Sequence, residues 1–288
     1  MTWLGHSTAV LDLTGPDGVT TRLVTDPLLR RHAGVLRRRG AGPDAAAWAG
    51  ADAALLSHLH HDHAELGSLR LLGDVPVLTA PANARWLRSK GLRGVGLEPP
   101  SGVPGHHGGA WHDVAGVQVR LTTAVHGDRP MPHRPNAANG HLVRLPARGA
   151  GAAGAPAVAA AATVWVLGDT EHFPGVGRVR DLAGGRVDVA LVPVSGWGPR
   201  LSGGHLGPRA AAEVCAEVRP RVAIPVHWGT LHVPGGRDLP RGWMDHAGAA
   251  FAAAVHRLAP GVRAVVLRPG ASWCDTPVGH DGVEQVFG

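Results

Sequence analysis

The sequence predicts an α/β fold, and three observations lead to this prediction. Short apolar segments rich in β-branched residues alternate along the chain with segments of helical pattern, an order typical of α/β proteins. Hydrophobic residues make up 44% of the 288 residues, which is enough for a sizeable core. Four of the apolar strands run directly into a residue that can bind a metal ion. Because open sheets place their sites on loops at strand ends, this pattern predicts a site at the edge of a sheet.

The first half of the chain begins with a predicted hairpin. Residues 10–13 and 21–24 are apolar and β-rich, and the sequence Gly-Pro-Asp-Gly at 15–18 supplies the turn between them. Residues 53–56 form a short apolar strand that ends where a run of histidines begins. The other predicted elements of this half are a strand at residues 75–78 and a helix at residues 82–90, which Gly91 ends.

The second half continues the alternation of strands and helices. We predict strands at residues 117–122, 164–167, 187–194, 222–226 and 264–267, and helices at residues 208–218 and 247–258. An Ala/Gly-rich segment of low complexity, residues 147–162, interrupts the pattern and is predicted to be a flexible connection. We therefore expect one domain, residues 1–288, with halves of about 1–146 and 163–288.

The composition argues against nucleic acid as a partner. The net charge is +6, but almost all of the positive charge is arginine, which is abundant together with alanine, glycine and proline. The basic cluster of the chain has no nearby aromatic residues on which bases could stack. We expect this cluster to be a solvated loop or an anion-steering rim near a pocket; it comprises Arg30, Arg31, Arg37, Arg38 and Arg39.

We expect a cytoplasmic protein. No stretch reaches the roughly eighteen uninterrupted apolar residues of a membrane-spanning helix. The first 13 residues lack the positive leader and the small-residue cleavage site of a signal peptide. Cys215 and Cys274 are too few for a disulfide framework, so we expect two reduced thiols. The sequence leaves the oligomeric state open.

The strongest chemical signal is the sequence Ser-His-Leu-His-His-Asp-His at residues 57–63. Side chains two residues apart on an extended segment share a face, so His58 and His60 can bind one cation together. A turn into a helix brings Asp62 and His63 to a second position nearby. Imidazole and carboxylate ligands suit zinc, and also manganese or iron. A histidine-rich surface loop is the alternative, but four ligand-type residues within six, directly after a buried strand, favour a metal site.

This motif resembles that of the metallo-β-lactamase-fold hydrolases. Three later residues match the remaining ligand positions of that family in order. His126 ends the sequence Thr-Thr-Ala-Val-His, Asp169 lies in Gly-Asp-Thr, and His227 begins His-Trp-Gly-Thr. The resemblance implies a four-layer αββα sandwich with a metal cleft along one edge.

The flanking sequences resemble one branch of this family. Trp-Leu-Gly-His-Ser-Thr at residues 3–8, Thr-Asp-Pro at 25–27 and His-Trp-Gly-Thr at 227–230 are similar to motifs of the branch that contains N-acylphosphatidylethanolamine-hydrolysing phospholipase D and L-ascorbate-6-phosphate lactonase. The matches extend from residue 3 to about residue 231 and omit the low-complexity segment. Members of this branch cleave different bonds, so the resemblance does not name one substrate.

The resemblance implies two divalent metal ions, with zinc expected and manganese or iron as alternatives. The implied ligands are His58, His60 and His126 for one ion, Asp62, His63 and His227 for the other, and Asp169 as a bridge between them. Two such ions would share a water and lower its pKa towards neutrality, which gives a hydroxide nucleophile. We therefore expect hydrolysis of a phosphodiester or phosphate-bearing ester, with a small anionic or phospholipid-like substrate. The resemblance also suggests that Asp62 hydrogen-bonds the nucleophile.

Five further residues are weaker candidates. His205 precedes a predicted helix, where relatives carry a substrate-facing histidine; it either donates a proton to the leaving group or packs at the helix N-terminus. His6 is expected at the mouth of the cleft or behind the metal ligands. Asp26 supports the ligands or simply forms an Asp-Pro turn. Arg134 and Asn136 lie in a polar loop and either meet an anionic substrate or face solvent.

Several rival functions stay open at this point. A lactonase acting on a sugar-acid lactone and a nuclease of the same fold would both use the implied site, although the chain carries no appended nucleic-acid-binding module. Redox chemistry at a di-iron site is disfavoured, since two cysteines cannot hold a four-thiolate cluster for an electron partner. A metal-stabilised binding module is the non-enzymatic alternative, and the presence of all seven ligand-type residues argues against it.

Overall fold

The computed structural model describes residues 1–98, 109–127, 133–147 and 160–275, with the side chains of residues 160 and 161 excepted. Residues 148–159, which make up most of the predicted low-complexity connection, lie outside this range.

The N-terminal part of the chain forms the first sheet. In chain order its elements are β1 (Thr2–Gly5), β2 (Thr8–Thr14), β3 (Thr20–Thr25), β4 (His32–Ala33), β5 (Leu36–Arg38), β6 (Ala53–Leu55), α1 (Leu66–Leu71), β7 (Val77–Thr79), α2 (Pro81–Ser89) and β8 (Gly94–Gly96). Within the described residues this sheet has the strand order β1-β2-β3-β6-β7-β8. The first three strands are antiparallel, as the predicted hairpin requires, and β3, β6, β7 and β8 are parallel.

The second sheet follows in the chain. Its elements are β9 (His112–Val114), β10 (Val117–Thr123), β11 (Asn139–Pro146), β12 (Ala160–Val166), α3 (Val179–Ala183), β13 (Val189–Pro193), α4 (Pro208–Val218), β14 (Val222–Val226), β15 (Leu231–His232), α5 (Ala247–Leu258) and β16 (Arg263–Ala264). The described strands are ordered β16-β14-β13-β12-β11-β10-β9. Strands β9 to β12 are antiparallel, and β12, β13, β14 and β16 are parallel. The two sheets thus divide the chain between β8 and β9, and residues 147–159 connect two paired strands of the second sheet.

The two sheets pack face to face, and helices cover their outer faces. Side chains alternate between the two faces of each strand. On β12, for example, Val164 and Val166 point into the core between the sheets, whereas Trp165 packs under α4 and α5 on the outside. On the first sheet, Ala54 and Val77 pack outward against α1 and α2. This arrangement confirms the predicted α/β class and the four-layer αββα sandwich.

A small third sheet joins segments that are far apart in the chain. Strands β4, β5 and β15 form it, and we call it the strap. Arg38 of the strap is buried, and its guanidinium donates to the carbonyls of Leu4 (2.7 Å) and Leu28 (2.5 Å). The expectation that Arg38 belongs to a solvated cluster is therefore wrong, because it ties the strap to the first sheet. The other arginines of that cluster are exposed.

The remaining predicted elements agree with the structure, with small shifts at their ends. The strand predicted at residues 264–267 is shorter and earlier, Arg263–Ala264, because only these residues pair with β14. None of the described helices has the length and apolar character needed to cross a bilayer.

Candidate metal centre

The histidine-rich loop follows β6 and is held at both ends. At its start, the Ser57 N–H donates to Asp26 Oδ1 (2.7 Å). At its end, the carbonyl of His60 accepts from the N–H groups of His63 (3.1 Å) and Ala64 (2.8 Å), which forms a tight turn. Helix α1 begins just after this turn. The turn predicted after the histidines is therefore present, at residues 60–64, and helix α1 begins only after it.

Three histidines meet on one side of this loop. His60 Nδ1 lies 2.9 Å from His58 Nε2 and 3.0 Å from His126 Nε2. His126 comes from the loop after β10, and Gly204 approaches it so closely that a Cβ at Gly204 would lie 2.8 Å from the His126 carbonyl carbon. The structure thus brings together the three histidines that the family resemblance implies for one ion.

A second group of donors lies beside the first. His63 Nε2 and His227 Nε2 are 3.2 Å apart. Asp62 Oδ2 lies 3.6 Å from the former and 3.8 Å from the latter. His227 directly follows β14 and has a positive φ of 61°, which turns its side chain back towards the loop. These are the three residues that the family resemblance implies for the second ion.

Asp169 lies between the two groups. Its Oδ2 is 3.1 Å from both His63 Nε2 and His227 Nε2, and 3.9 Å from His126 Nε2. Its Oδ1 is buried, and none of the described residues gives it a hydrogen bond. Gly168, at φ 65°, lets the chain turn sharply after β12 so that this carboxylate enters the site.

The far nitrogens of several histidines are hydrogen-bonded to acceptors, and this fixes their tautomers. The Nδ1–H of His63 donates to Asp26 Oδ2 (2.8 Å), that of His126 to the Gly204 carbonyl (2.8 Å) and that of His227 to the Ser195 carbonyl (2.9 Å). In neutral imidazole the other nitrogen then carries a lone pair. The Nε2 atoms of all three histidines point into the site.

His58 follows the same rule through Ser57. The Ser57 hydroxyl donates to Asp26 Oδ2 (2.7 Å), so its oxygen accepts the Nδ1–H of His58 (2.9 Å). Asp26 therefore supports two histidines of the loop, and it is itself buried. This role matches the supporting alternative that the sequence offered for Asp26.

The electrostatics differ between the two groups. Burial lowers the pKa of His58 well below its ordinary value and lowers the pKa of His60 to about 4. Burial also opposes a proton on His227, but Asp169 and Asp62 outweigh it and raise its pKa to about 9. Burial would raise the pKa of Asp169, yet His227 and His63 hold it well below its usual range. The buried carboxylates thus demand positive charge, which protons or metal ions can supply.

These donors fit divalent metal ions. Two nitrogens that bind one tetrahedral zinc ion at about 2.0–2.1 Å lie about 3.3 Å apart. The nitrogen pairs of the site lie 2.9–3.2 Å apart, close to this separation. The unpartnered Asp169 Oδ1 is a further acceptor that a cation would satisfy. Buried imidazole nitrogens and carboxylates that converge in this way suit a divalent cation.

The weaker candidates lie around this centre. His205 Nε2 is 3.3 Å from Asp169 Oδ2, and its Nδ1 lies 3.1 Å from the Gly203 carbonyl. His6 is buried, with its Nε2 2.9 Å from Asp62 Oδ2. Arg134 donates to carbonyls of the loop, and Asn136 contacts His60.

Sequence reasoning missed the backbone acceptors and the residues that position His6. The carbonyls of Ser195 and Gly204 orient two histidines, but a carbonyl has no signature in a sequence. Thr230 Oγ1 accepts the N–H of His6 (2.7 Å). Thr230 is the last residue of the His-Trp-Gly-Thr motif. Its polar side chain is the sequence feature that could have indicated this role.

Comparison with known proteins places the chain among metal-dependent hydrolases. Residues 21–228 match the family described as Beta-lactamase superfamily domain. A UPF0173 metal-dependent hydrolase of Pelotomaculum thermopropionicum is 25% identical over 270 residues, 91% of this chain and 97% of that protein. N-acyl-phosphatidylethanolamine-hydrolyzing phospholipase D 1 of Caenorhabditis elegans is 25% identical over 251 residues, 80% of this chain and 63% of that protein.

Solved structures share the fold. Igni18, a metallo hydrolase of the archaeon Ignicoccus hospitalis, superposes with a TM-score of 0.62 at 18% identity. The superposition covers 94% of this chain and 95% of that one.

Proposed function

The chain belongs to the Beta-lactamase superfamily domain family, and from this premise we propose that it is a metal-dependent hydrolase with two metal ions that cleaves a phosphodiester or phosphate-bearing ester. One observation carries the proposal. Two sets of donor atoms converge side by side, and a single carboxylate oxygen, Asp169 Oδ2, lies against both.

The positions of the donor atoms support an assignment of the ligands. His58 Nε2, His60 Nδ1 and His126 Nε2 would hold one ion. The second ion would be held by Asp62, His63 and His227, with Asp169 shared between the two. Bound there, divalent ions supply Lewis acidity, which lowers the pKa of water and stabilises negative charge on the substrate.

The chain's own residues orient this centre and handle protons. The Nε2–H of His6 donates to Asp62 Oδ2, so it fixes that carboxylate in the site. His205 is the proposed proton donor. Its Nδ1–H is directed at the carbonyls of Ser202 (3.3 Å) and Gly203 (3.1 Å), which leaves Nε2 facing the centre. Only the imidazolium form of His205 carries a second proton, on Nε2 beside Asp169 Oδ2 (3.3 Å), and in that form it would deliver this proton to a leaving oxygen.

The proposed substrate class rests on charge and on the relatives. Gly34, between β4 and β5, lies beside the histidine-rich loop, since a Cβ at Gly34 would lie 3.8 Å from that of His61, and the exposed Arg30, Arg31 and Arg37 are its near neighbours in the chain. A cationic rim of this kind attracts anionic substrates. The phospholipase among the relatives supports a phosphodiester, either a small soluble diester or a phospholipid.

The experiment compares three substrate types in the zinc-loaded protein: bis-p-nitrophenyl phosphate, p-nitrophenyl phosphate and a simple lactone. We expect turnover of the diester. Turnover of the lactone alone would keep the site but overturn the phosphodiester assignment. Vesicles that contain N-acylphosphatidylethanolamine then separate a lipid substrate from a small soluble one.

His205→Gln tests the proposed proton donor. We expect kcat to fall about 100-fold or more for diesters with an alkoxide leaving group. The fall should be much smaller for p-nitrophenolate, which leaves without a proton. Metal content should not change. Equal losses for both leaving groups would contradict the assignment.

A further inference from the structure

Asn136 contacts a metal-ligand candidate from outside the donor cluster. Its Nδ2 lies 3.3 Å from His60 Nε2, the ring nitrogen that points away from His58 and His126. Its Oδ1 is buried, and no residue in the described part of the chain donates a hydrogen bond to it. A buried carbonyl oxygen without a donor costs about 1–3 kcal/mol, so this amide needs an explanation.

His60 differs from the other histidines of the centre in the nitrogen that it presents. His58, His126, His63 and His227 direct Nε2 into the site, whereas His60 directs Nδ1. A neutral imidazole can offer Nδ1 to a cation only when its proton is on Nε2. That proton needs an acceptor, and Asn136 is the residue at that position.

A half-turn of the Asn136 amide pairs its oxygen with the Nε2–H of His60 and places the NH2 group where the oxygen was. Nitrogen and oxygen of a side-chain amide occupy equivalent positions, so their placement follows from the hydrogen-bond network. With Oδ1 towards His60, the amide accepts the Nε2–H, the buried oxygen gains its donor, and Nδ1 keeps its lone pair for a cation.

The backbone around Asn136 is fixed by neighbours on both sides. On one side, Arg134 Nη1 donates to the carbonyls of Leu59 (2.9 Å) and Ala64 (3.2 Å), which flank the motif. The Arg134 guanidinium also lies over the ring of Trp86, 4.7 Å from its centroid. Arg134 thus binds the segment to the histidine-rich loop itself.

On the other side of Asn136, the next residue is tied to α2. Asn83 Nδ2 donates to the Ala137 carbonyl (2.7 Å), and Asn83 Oδ1 accepts the Ala137 N–H (3.3 Å). With both neighbours fixed, the amide of Asn136 has little freedom except rotation about its own side-chain bonds. Because the backbone around it is fixed, the Asn136 amide is suited to orienting the ring of His60.

We propose that Asn136 is a positioning residue that accepts the Nε2–H of His60 and thereby selects the tautomer that binds metal through Nδ1. The inference rests on the proposed function, because it assumes that His60 is a metal ligand. It also gives Arg134 a role that is separate from substrate binding: Arg134 holds the segment that carries Asn136 against the loop.

Three variants test the inference by zinc titration against a chromophoric chelator. Asn136→Leu has similar size but accepts no hydrogen bond, and we expect one of the two zinc equivalents to bind about 10–100-fold more weakly. Asn136→Asp keeps an acceptor and should bind both equivalents within a few-fold of wild type. Asn136→Ala also removes the acceptor and leaves a smaller side chain. If N136L does not fold, N136A should show the same weaker binding of one zinc equivalent. Gln118→Ala is the matched control, since it removes an amide on β10 that bonds Asp113 and Arg144.

A second readout reports the tautomer directly. In chelated, metal-free protein with ¹⁵N-labelled histidine, long-range proton–nitrogen correlations should assign His60 a proton on Nε2 in wild type and N136D, and a loss of this preference in N136L. Wild-type affinity for both equivalents in N136L, or equal losses in N136L and N136D, would overturn the inference alone. Failure of the wild-type protein to bind two equivalents would overturn the proposed function with it.

Discussion

Replacing Asp26 with asparagine tests how the chain prepares its metal ligands. The Asp26 carboxylate accepts three hydrogen bonds, from the Ser57 N–H (2.7 Å), the Ser57 hydroxyl (2.7 Å) and the Nδ1–H of His63 (2.8 Å). Asp26→Asn keeps the shape and one oxygen but puts an NH2 group where Oδ2 was. That group would face the Nδ1–H of His63.

The variant is expected to reverse the tautomer of His63. With an amide donor opposite, the favoured state has a bare Nδ1 and a proton on Nε2, where the lone pair for the metal should be. Restoring the binding tautomer leaves a buried donor unsatisfied, which costs about 1–3 kcal/mol. At about 1.4 kcal/mol per factor of ten, we expect zinc affinity to fall about 10–100-fold.

Zinc titration against a competing chelator measures this loss, and urea unfolding of the chelated protein measures any loss of folding stability. Asp12→Asn is the control. Asp12 pairs with Arg22 at a partly exposed site (2.7 Å), so its loss should cost less than about 1 kcal/mol and leave zinc affinity unchanged. Wild-type zinc affinity in D26N would refute the reasoning, because the carboxylate would then have no role in orienting His63.

Two further predictions concern the backbone and the thiols. Gly168→Ala should lower the free energy of unfolding in urea by about 1–3 kcal/mol, because φ is 65° and a Cβ would lie 2.7 Å from that of Ser57. Gly184→Ala is the control for backbone strain alone, since Gly184 has a φ of 84° and a Cβ there would meet no atom within 4 Å. Equal losses of stability in the two variants would contradict the steric argument. Burial raises the pKa of Cys215 to about 12, whereas Cys274 is exposed, so Ellman's reagent should label about one thiol in the native protein and two in denaturant. Rapid labelling of both thiols in the native protein would contradict the burial of Cys215.

The parts of the fold with strong local patterns could be predicted from the sequence. Strands β6, β13 and β14 are buried on both faces, so they are continuous apolar runs whose ends are sharp. Helices α4 and α5 carry amphipathic patterns and were predicted with the bounds that the structure has. Four metal-ligand candidates, His58, His126, Asp169 and His227, follow β6, β10, β12 and β14, so the sequence pattern could place them at the ends of strands.

The strap could not be predicted, for a physical reason. Its strands have two or three residues, which is too short for any periodic pattern, and β5 pairs with β15 across almost two hundred residues of sequence. The buried Arg38 also looks like a surface residue when its neighbours are other arginines. Pairing between remote segments depends on the whole fold and leaves no local signal.

The surroundings of the ligands were predictable only in part. Asp26 and His6 were candidates because they lie in recognisable motifs, but their partners, His63 and Asp62, are 37 and 56 residues away in the chain. Arg134 was considered for an anionic substrate, and its guanidinium instead bonds carbonyls of the loop. A side chain's charge indicates what it can bind, and the fold decides which partner is within reach.

The metal content of the protein tests the central claim most directly. We would purify the wild type and Asp169→Asn, reload both with zinc, and combine elemental analysis with turnover of bis-p-nitrophenyl phosphate before and after chelation. The account predicts close to two zinc ions per wild-type chain, turnover that is lost on chelation and restored by zinc, and lower metal content with little turnover in D169N. Less than one ion per wild-type chain, or turnover that survives chelation, would contradict it.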